Sequence, residues 1–263
     1  MKHRSLLDRI LEPGSLSVVF QPILEKGAGG SWGIYSLECL IRGPKGTNIE
    51  KADVLFEYVR RKREERLVDR ACVAVAIRGA SELPGNFNFS LNVHASTLGR
   101  DDGFTSFLGD IAESNGVQLS RLTVEIVEHT HFWDKISFNH SLEELRRMGV
   151  RVALDDVGTG ESNFRMIIDC HPDMFKVDRY IVENCHADFY RLAVLDSIAY
   201  LARRFGAQVV VEGVSTEADL EAVQSLGINL IQGYLFCAAL PAAELLQHPV
   251  FHSRTYKLAA KGG

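Results

Sequence analysis

The hydrophobic pattern of this chain switches repeatedly between two periods. Short apolar runs recur at SVVFQPI (17–23), GIYSLECLIR (33–42), FNFSLNV (87–93), LTVEIVE (122–128), RVALDDV (151–157), MFKVDR (174–179), AQVVVEGV (207–214) and LIQGYLF (230–236). Their β-branched and aromatic content predicts strands. Between most of them the apolar residues fall three and four apart, as in DDGFTSFLGDIAESNG, HSLEELRRMG, FYRLAVLDSIAYLARRFG and TEADLEAVQSLG, and in a longer stretch from Lys45 to Leu83. That spacing predicts amphipathic helices. Strands alternating with helices of this length predict βαβ units, and eight strands in about 220 residues fit a TIM-type (β/α)8 barrel. The first two strands are separated only by the glycine-rich EKGAGGS (25–31), too short for a helix. They are expected to pair as an antiparallel hairpin, which modifies the barrel with one antiparallel strand near the N-terminus. A single domain is expected over 1–263, with a barrel core at about 16–241, a charged helical segment at 1–15 and a peripheral tail at 242–263.

Composition narrows the class. With 263 residues, 46% of them hydrophobic, the chain can bury a sizeable core. A formal charge of −5 gives no electrostatic footprint for a DNA or RNA polymer or for an anionic membrane. The run RRKREER (60–66) reads as a solvated helix face whose acids and bases pair at helical spacing. The five cysteines, Cys39, Cys72, Cys170, Cys185 and Cys237, are scattered without CxxC spacing, and neither a secretory signal nor a long apolar span is present. These features predict a cytoplasmic protein.

Against this apolar background the polar residues stand out. Gln21, Glu38, Asn92, Glu125, Asp155 with Asp156, Lys176 and Glu212 lie toward the ends of the predicted strands, while Gln232 falls nearer the start of the last one. Barrel enzymes build their sites at the C-terminal strand ends. Glu38, Glu125, Asp155, Asp156 and Glu212 bring five negative charges, and Lys176 and Arg42 return two positive ones. Acids crowded in this way take up protons unless cations sit among them. Oxygen donors, with the Asn92 amide, suit Mg2+ or Mn2+ better than zinc. Neighbouring residues of a regular strand face opposite ways. At a strand end that alternation relaxes, so Asp155 and Asp156 can touch two ions or bridge them, an arrangement suited to phosphoryl chemistry. Period two puts Glu38, Leu40 and Arg42 on one face, and Lys176 with Asp178 on another. Asp178 reads equally as a ligand contact or as a partner of Lys176. Glu125 and Glu128 point to opposite sides, one free to bind metal and the other to hold a neighbouring loop. EHTH (128–131) lacks the helical HExxH frame of a zinc site and reads as a loop pair.

Taken in order, these motifs resemble the EAL domain family of cyclic-di-GMP phosphodiesterases and their inactive relatives. The resemblance rests on QPI at 21–23, ECLIR where the family has EALxR, LNVHAS around Asn92, VEIVE at 124–128, ALDDVGTG at 153–160, KVDRYIV at 176–182, VEGVSTE at 211–217 and QGYLF at 232–236. It implies a two-ion site that hydrolyses one phosphodiester of cyclic-di-GMP to linear pGpG. By motif position Glu38, Asn92, Glu125 and Asp155 would hold the first ion, and Asp155 and Asp156 the second, with Glu212 near it. Lys176 would sit by the attacking water as base or orienting cation. Gln232 would position water or substrate, Glu128 would anchor the loop after the paired aspartates, and Gln21, Leu40, Arg42 and Asp178 would contact the ligand.

The chain also departs from the family pattern. Cys39 replaces the alanine of EAL, Val211 replaces the alanine before Glu212, and DDVGTGESN stands where the family usually has DDFGTGYSS. Val157, Glu161 and Asn163 therefore alter a loop that, in the family, links the metal site to a dimer contact. A homodimer and an unidentified regulatory partner are both compatible with the resemblance. The second reading is a non-catalytic or weakly active cyclic-di-GMP receptor or protein-interaction domain. The intact Glu38, Asn92, Glu125, Asp155, Asp156, Lys176 and Glu212 favour the enzyme. A third class is an unrelated barrel enzyme. A glycosidase needs only two carboxylates and no ions, and a Schiff-base lysine wants a desolvated site that five acids serve poorly.

Overall fold

The computed structural model describes residues 5–27, 30–127, 134–159 and 164–252. Eight strands, β1 (Ser17–Lys26), β2 (Trp32–Arg42), β3 (Asn88–His94), β4 (Leu122–Val127), β5 (Arg151–Val157), β6 (Met174–Val177), β7 (Gln208–Val211) and β8 (Leu230–Ile231), close a barrel in sequence order. The strand β1 runs antiparallel to β8, with Leu24 opposite Ile231, while β3 with β4 and β5 through β8 pair in parallel. The antiparallel strand near the N-terminus is thus β1. The helices are α1 (Leu6–Ile10), α2 (Ala52–Lys62), α3 (Glu65–Ser81), α4 (Ala95–Leu98), α5 (Phe104–Ser114), α6 (Lys135–Arg147), α7 (Phe164–Cys170), α8 (Arg179–Val182), α9 (Phe189–Phe205), α10 (Glu217–Ser225), α11 (Ala242–Leu245) and α12 (Pro249–His252).

The chain divides into two compact units. In one, formed by the segments up to Phe20 and from Cys39 to Arg151, β3 and β4 pair from Phe89↔Leu122 to His94↔Val127. The helix α3 turns a continuous apolar stripe inward, with Val68, Cys72, Val73, Ala76, Ile77 and Ala80 all buried. Arg70 on its outer side clamps Asp101 through two 2.7 Å contacts and lies 4.9 Å over the Phe107 ring. Charge-assisted bidentate pairs of this kind fix an element in register.

The other unit holds Gln21–Glu38 and Val152 onward. Ile23, Ala153, Met174, Val210 and Leu230, one residue from each of β1, β5, β6, β7 and β8, form an apolar layer with Tyr35 packed against it. The helix α9 starts where Asp188 accepts hydrogen bonds from the Tyr190 and Arg191 amides, and it stops at Gly206, whose φ of 71° a side chain would resist. Apolar Leu245 and Val250 are buried in α11 and α12. The segment after Pro241 therefore packs down at least as far as α12 and is not wholly peripheral; LAAKGG lies outside the described residues.

The end of β5 is closely constrained. A register shift separates Leu154 from Val157 in its pairing with β6. Gly158 follows at φ +97°, and a Cβ there would lie 2.1 Å from Ile181 Cδ1. Gly158→Ala therefore combines an unfavourable backbone with a clash, and is expected to cost about 2–4 kcal/mol. Urea denaturation measures this, and an unchanged midpoint would contradict the packing described.

Candidate active site

Lys176, on β6, keeps only 1% of its side chain exposed. Its Nζ lies 2.7 Å from Glu212 Oε1, 3.2 Å from Asp155 Oδ1 and 3.3 Å from Glu38 Oε1. An ammonium buried at this depth is tolerable only among opposite charges, and here three carboxylates meet it. The strands deliver these groups in different ways. Glu38 comes from the interior of β2, six residues past its start, and Asp155 from β5. Glu212 directly follows β7, yet its amide donates to the Val177 carbonyl at 3.0 Å, extending the β6–β7 ladder.

The adjacent aspartates are separated by backbone geometry. Asp156 has φ 52°, in the left-handed region that residues other than glycine rarely enter. Combined with the register shift, this breaks strand alternation between Asp155 and Asp156. The positive φ does what the sequence analysis assigned to a relaxed strand end.

Two placements differ from expectation. Gln21 lies in the middle of β1, which continues to Lys26. Gln232 lies immediately beyond β8, because that strand ends at Ile231; its amide donates to the Val211 carbonyl at 2.9 Å. Gln232 thus belongs with the strand-end groups and not at a strand start. The error came from QGYLF, whose apolar residues extend the run past the true strand. After Ile231 the chain turns instead, and Gly233 packs against the segment that follows β7: a Cβ there would stand 2.0 Å from the Val214 carbonyl oxygen. The Gln232 side chain donates from Nε2 to Glu38 Oε2 at 2.6 Å and to Gln21 Oε1 at 3.1 Å, and Gln21 donates to the Cys237 carbonyl at 3.2 Å.

The remaining site residues fall as follows. Asn92 and Glu125 are opposite each other in the β3–β4 register, Glu125 fully buried and Asn92 half-buried. Leu40 and Arg42 share the half-exposed face of β2 while Ile41 between them is buried, as period two requires, and Arg42 Nη1 donates to the Ile41 carbonyl at 3.0 Å. Asp178 accepts from the Tyr180 amide at 2.8 Å and caps α8, a contact with backbone. Glu128, His129, His131, Glu161 and Asn163 lie outside the described residues. A cavity of about 300 Å3 adjoins the Lys176 cluster, walled by Gln21, Asp178, Glu212 and Gln232. Arg179, Glu183, Ser215 and Tyr234 complete its rim. Sequence reasoning passed over these four, although Arg179 directly follows KVD and Tyr234 closes QGY.

The crowding shows in the titration behaviour. Burial pushes Glu212 up to about 8, with the Lys176 charge opposing the rise and the Asp155 and Glu38 charges adding to it. Asp156 rises to about 6 through burial and the neighbouring Asp155 and Asp178 charges. Asp155 is also raised, by burial, despite Lys176. The folded chain thus holds a proton on Glu212 that the unfolded chain releases near the ordinary value of 4.5. Between 4.5 and about 8 the folded state binds more protons, so stability falls as pH rises through that window. In metal-free protein, urea midpoints should decline over this range and decline less when Mn2+ is added. A midpoint that rises across the window would contradict the protonated Glu212.

Among the described residues no three His, Cys, Asp or Glu side chains stand as a ready-made cage for an ion. The donor chemistry nevertheless fits a hard divalent cation: Glu38, Asp155 and Glu212 share one ammonium, and Asp155, Glu212 and the adjacent Asp156 are all driven toward protonation.

Comparison with known proteins settles the class. The sequence model of the EAL domain matches residues 3–239, and the chain belongs to that family. It is 31% identical over 250 residues to the oxygen sensor protein DosP of Escherichia coli, covering 91% of this chain and 30% of DosP. It is 27% identical over 255 residues to the cyclic di-GMP phosphodiesterase NbdA of Pseudomonas aeruginosa, covering 91% of this chain and 31% of NbdA. The chain therefore spans under a third of the length of both relatives. Among solved structures, BlrP1 of Klebsiella pneumoniae in a manganese/cy-diGMP complex superposes with a TM-score of 0.76 at 27% identity, over 88% of this chain and 57% of that one. Among the described residues no helix is long and apolar enough to cross a membrane.

Proposed function

We propose that this chain works as a single EAL-type unit that hydrolyses cyclic-di-GMP to linear pGpG with the help of two Mg2+ or Mn2+ ions. The observation that carries the reading is the convergence of Glu38, Asp155 and Glu212 on buried Lys176 beside a cavity. The name of NbdA and the manganese and cyclic-di-GMP content of the BlrP1 complex support it. Glu38, Asn92, Glu125, Asp155 and Asp156 would hold the ions, which when bound polarise the phosphoryl group and lower the pKa of water. Lys176, fixed among carboxylates, orients the attacking water by donating to it. Glu212, whose Oε1 lies 2.7 Å from Lys176 Nζ, would lie near the second ion. Gln232 accepts a hydrogen bond from water or ligand, and Leu40, Arg42 and Asp178 contact the dinucleotide. Glu128 anchors the loop after β5.

The test is incubation with cyclic-di-GMP and Mn2+, followed by chromatography for pGpG. Saturable binding without turnover would replace the enzyme by a receptor, the reading that the altered Val157, Glu161 and Asn163 keep in play. We place the chain in the cytoplasm, in keeping with five buried free cysteines. We also assign it a homodimer. Phe164 and Ile168 on α7, with Tyr190, Val194 and Tyr200 on α9, leave an apolar face exposed, adjoining Val157 and Gly158. Tyr200→Glu should convert a dimeric mass to a monomeric one in sedimentation. A monomeric wild type at every concentration would contradict this.

A further inference from the structure

Gln21 sits where a ligand clamp would be expected, but its hydrogen bonds point elsewhere. Its Nε2 donates to the Cys237 carbonyl, and its Oε1 accepts from Gln232 Nε2 at 3.1 Å. The same Gln232 nitrogen donates to Glu38 Oε2 at 2.6 Å. Both ends of this chain of amides are groups that can only accept, a backbone carbonyl at one and a carboxylate at the other. The orientation of each amide is therefore determined: turning Gln21 over would set its oxygen against the Cys237 carbonyl and its nitrogen against the Gln232 nitrogen. With both of its N–H groups committed, Gln232 has only its carbonyl oxygen left. That oxygen is buried and has no hydrogen-bond partner among the described residues, and Gln232 walls the cavity beside Glu212.

We propose that Gln21 is a positioning residue, which acts through Gln232 to aim the Glu38 carboxylate and to hold the Gln232 carbonyl as an acceptor toward the cavity. The inference rests on the metal-dependent reading of the site and sharpens it. Without Gln21, the Gln232 amide can rotate, and the hydrogen bond that holds Glu38 Oε2 loses its fixed direction. Partners that orient a metal-binding carboxylate typically change affinity or activity by about 10–100-fold. A ligand clamp would instead change KM and leave the ions alone.

Two variants separate these roles. Gln21→Met keeps the bulk and removes both polar ends; Gln21→Leu also removes both, with a branched side chain. Each is examined by circular dichroism melting, by calorimetric titration with Mn2+ alone, and by kcat and KM for cyclic-di-GMP. The expected result is Mn2+ affinity weaker by about tenfold and kcat lower by about tenfold, with KM within about twofold of wild type. If Gln21→Met does not fold, Gln21→Leu gives the same comparison. A raised KM with unchanged kcat and unchanged Mn2+ affinity overturns the proposal in favour of a ligand clamp, and so does a variant identical to wild type. The Mn2+ titration needs no turnover. A wild type that binds Mn2+ without hydrolysis sinks the phosphodiesterase reading and still leaves the Gln21 effect measurable, whereas a wild type that binds no Mn2+ overturns both.

Discussion

Glu38→Ala is expected to abolish the proposed hydrolysis of cyclic-di-GMP, with kcat falling by on the order of 10^3-fold. Glu38 is the group on which the site's polar contacts meet: Lys176 Nζ stands 3.3 Å from one oxygen, and Gln232 Nε2 donates to the other at 2.6 Å. Truncation removes a carboxylate proposed to bind metal and releases Lys176 and Gln232 at once. The folded barrel should survive, because the lost side chain carries charge rather than core volume, and one fewer buried acid relieves repulsion with Asp155 and Glu212. Mn2+ affinity measured by calorimetry should drop with the rate. Full activity in this variant would show the metal assignment to be wrong.

Lys176→Met is expected to be as damaging to turnover and, unlike Glu38→Ala, damaging to the metal-free fold as well. The substitution keeps most of the buried stem and deletes the ammonium that lies within 3.3 Å of three carboxylates. Breaking a buried ion pair by removing one partner typically costs about 3–5 kcal/mol, because the remaining charge is left uncompensated. Near pH 7 the urea midpoint should fall, and it should recover as the pH is lowered and the carboxylates take up protons. Added Mn2+ should raise the variant's midpoint more than it raises the wild type's. A variant as stable as wild type in the absence of metal would mean that Lys176 does not hold these acids together.

Much of this arrangement was legible in the chain. Charged residues inside short apolar runs are conspicuous, so Glu38, Asp155, Lys176 and Glu212 could be picked out before their distances were known. The barrel itself followed from strands and helices alternating at regular intervals. What escaped depended on backbone geometry. The left-handed φ of Asp156 leaves no mark in composition, although it is what separates two adjacent acids. The true end of β8 was hidden because Tyr234, Leu235 and Phe236 continue the apolar pattern after the strand has stopped at Ile231. The short helix α7 was missed because seven residues, FRMIIDC, carry too little periodicity to register. The amide chain from Cys237 through Gln21 and Gln232 to Glu38 joins residues more than 190 positions apart, and no local signal could announce it.

The central claim is that the acids around Lys176 act through bound cations on a cyclic dinucleotide. The most direct measurement follows pGpG release from cyclic-di-GMP in wild-type protein stripped by chelator, then resupplied with Mn2+ or Mg2+ in steps. The account predicts no turnover in the stripped protein, saturable recovery with either ion, and a linear dinucleotide as product. Undiminished turnover in chelator, or no turnover at any concentration of either ion, would contradict it.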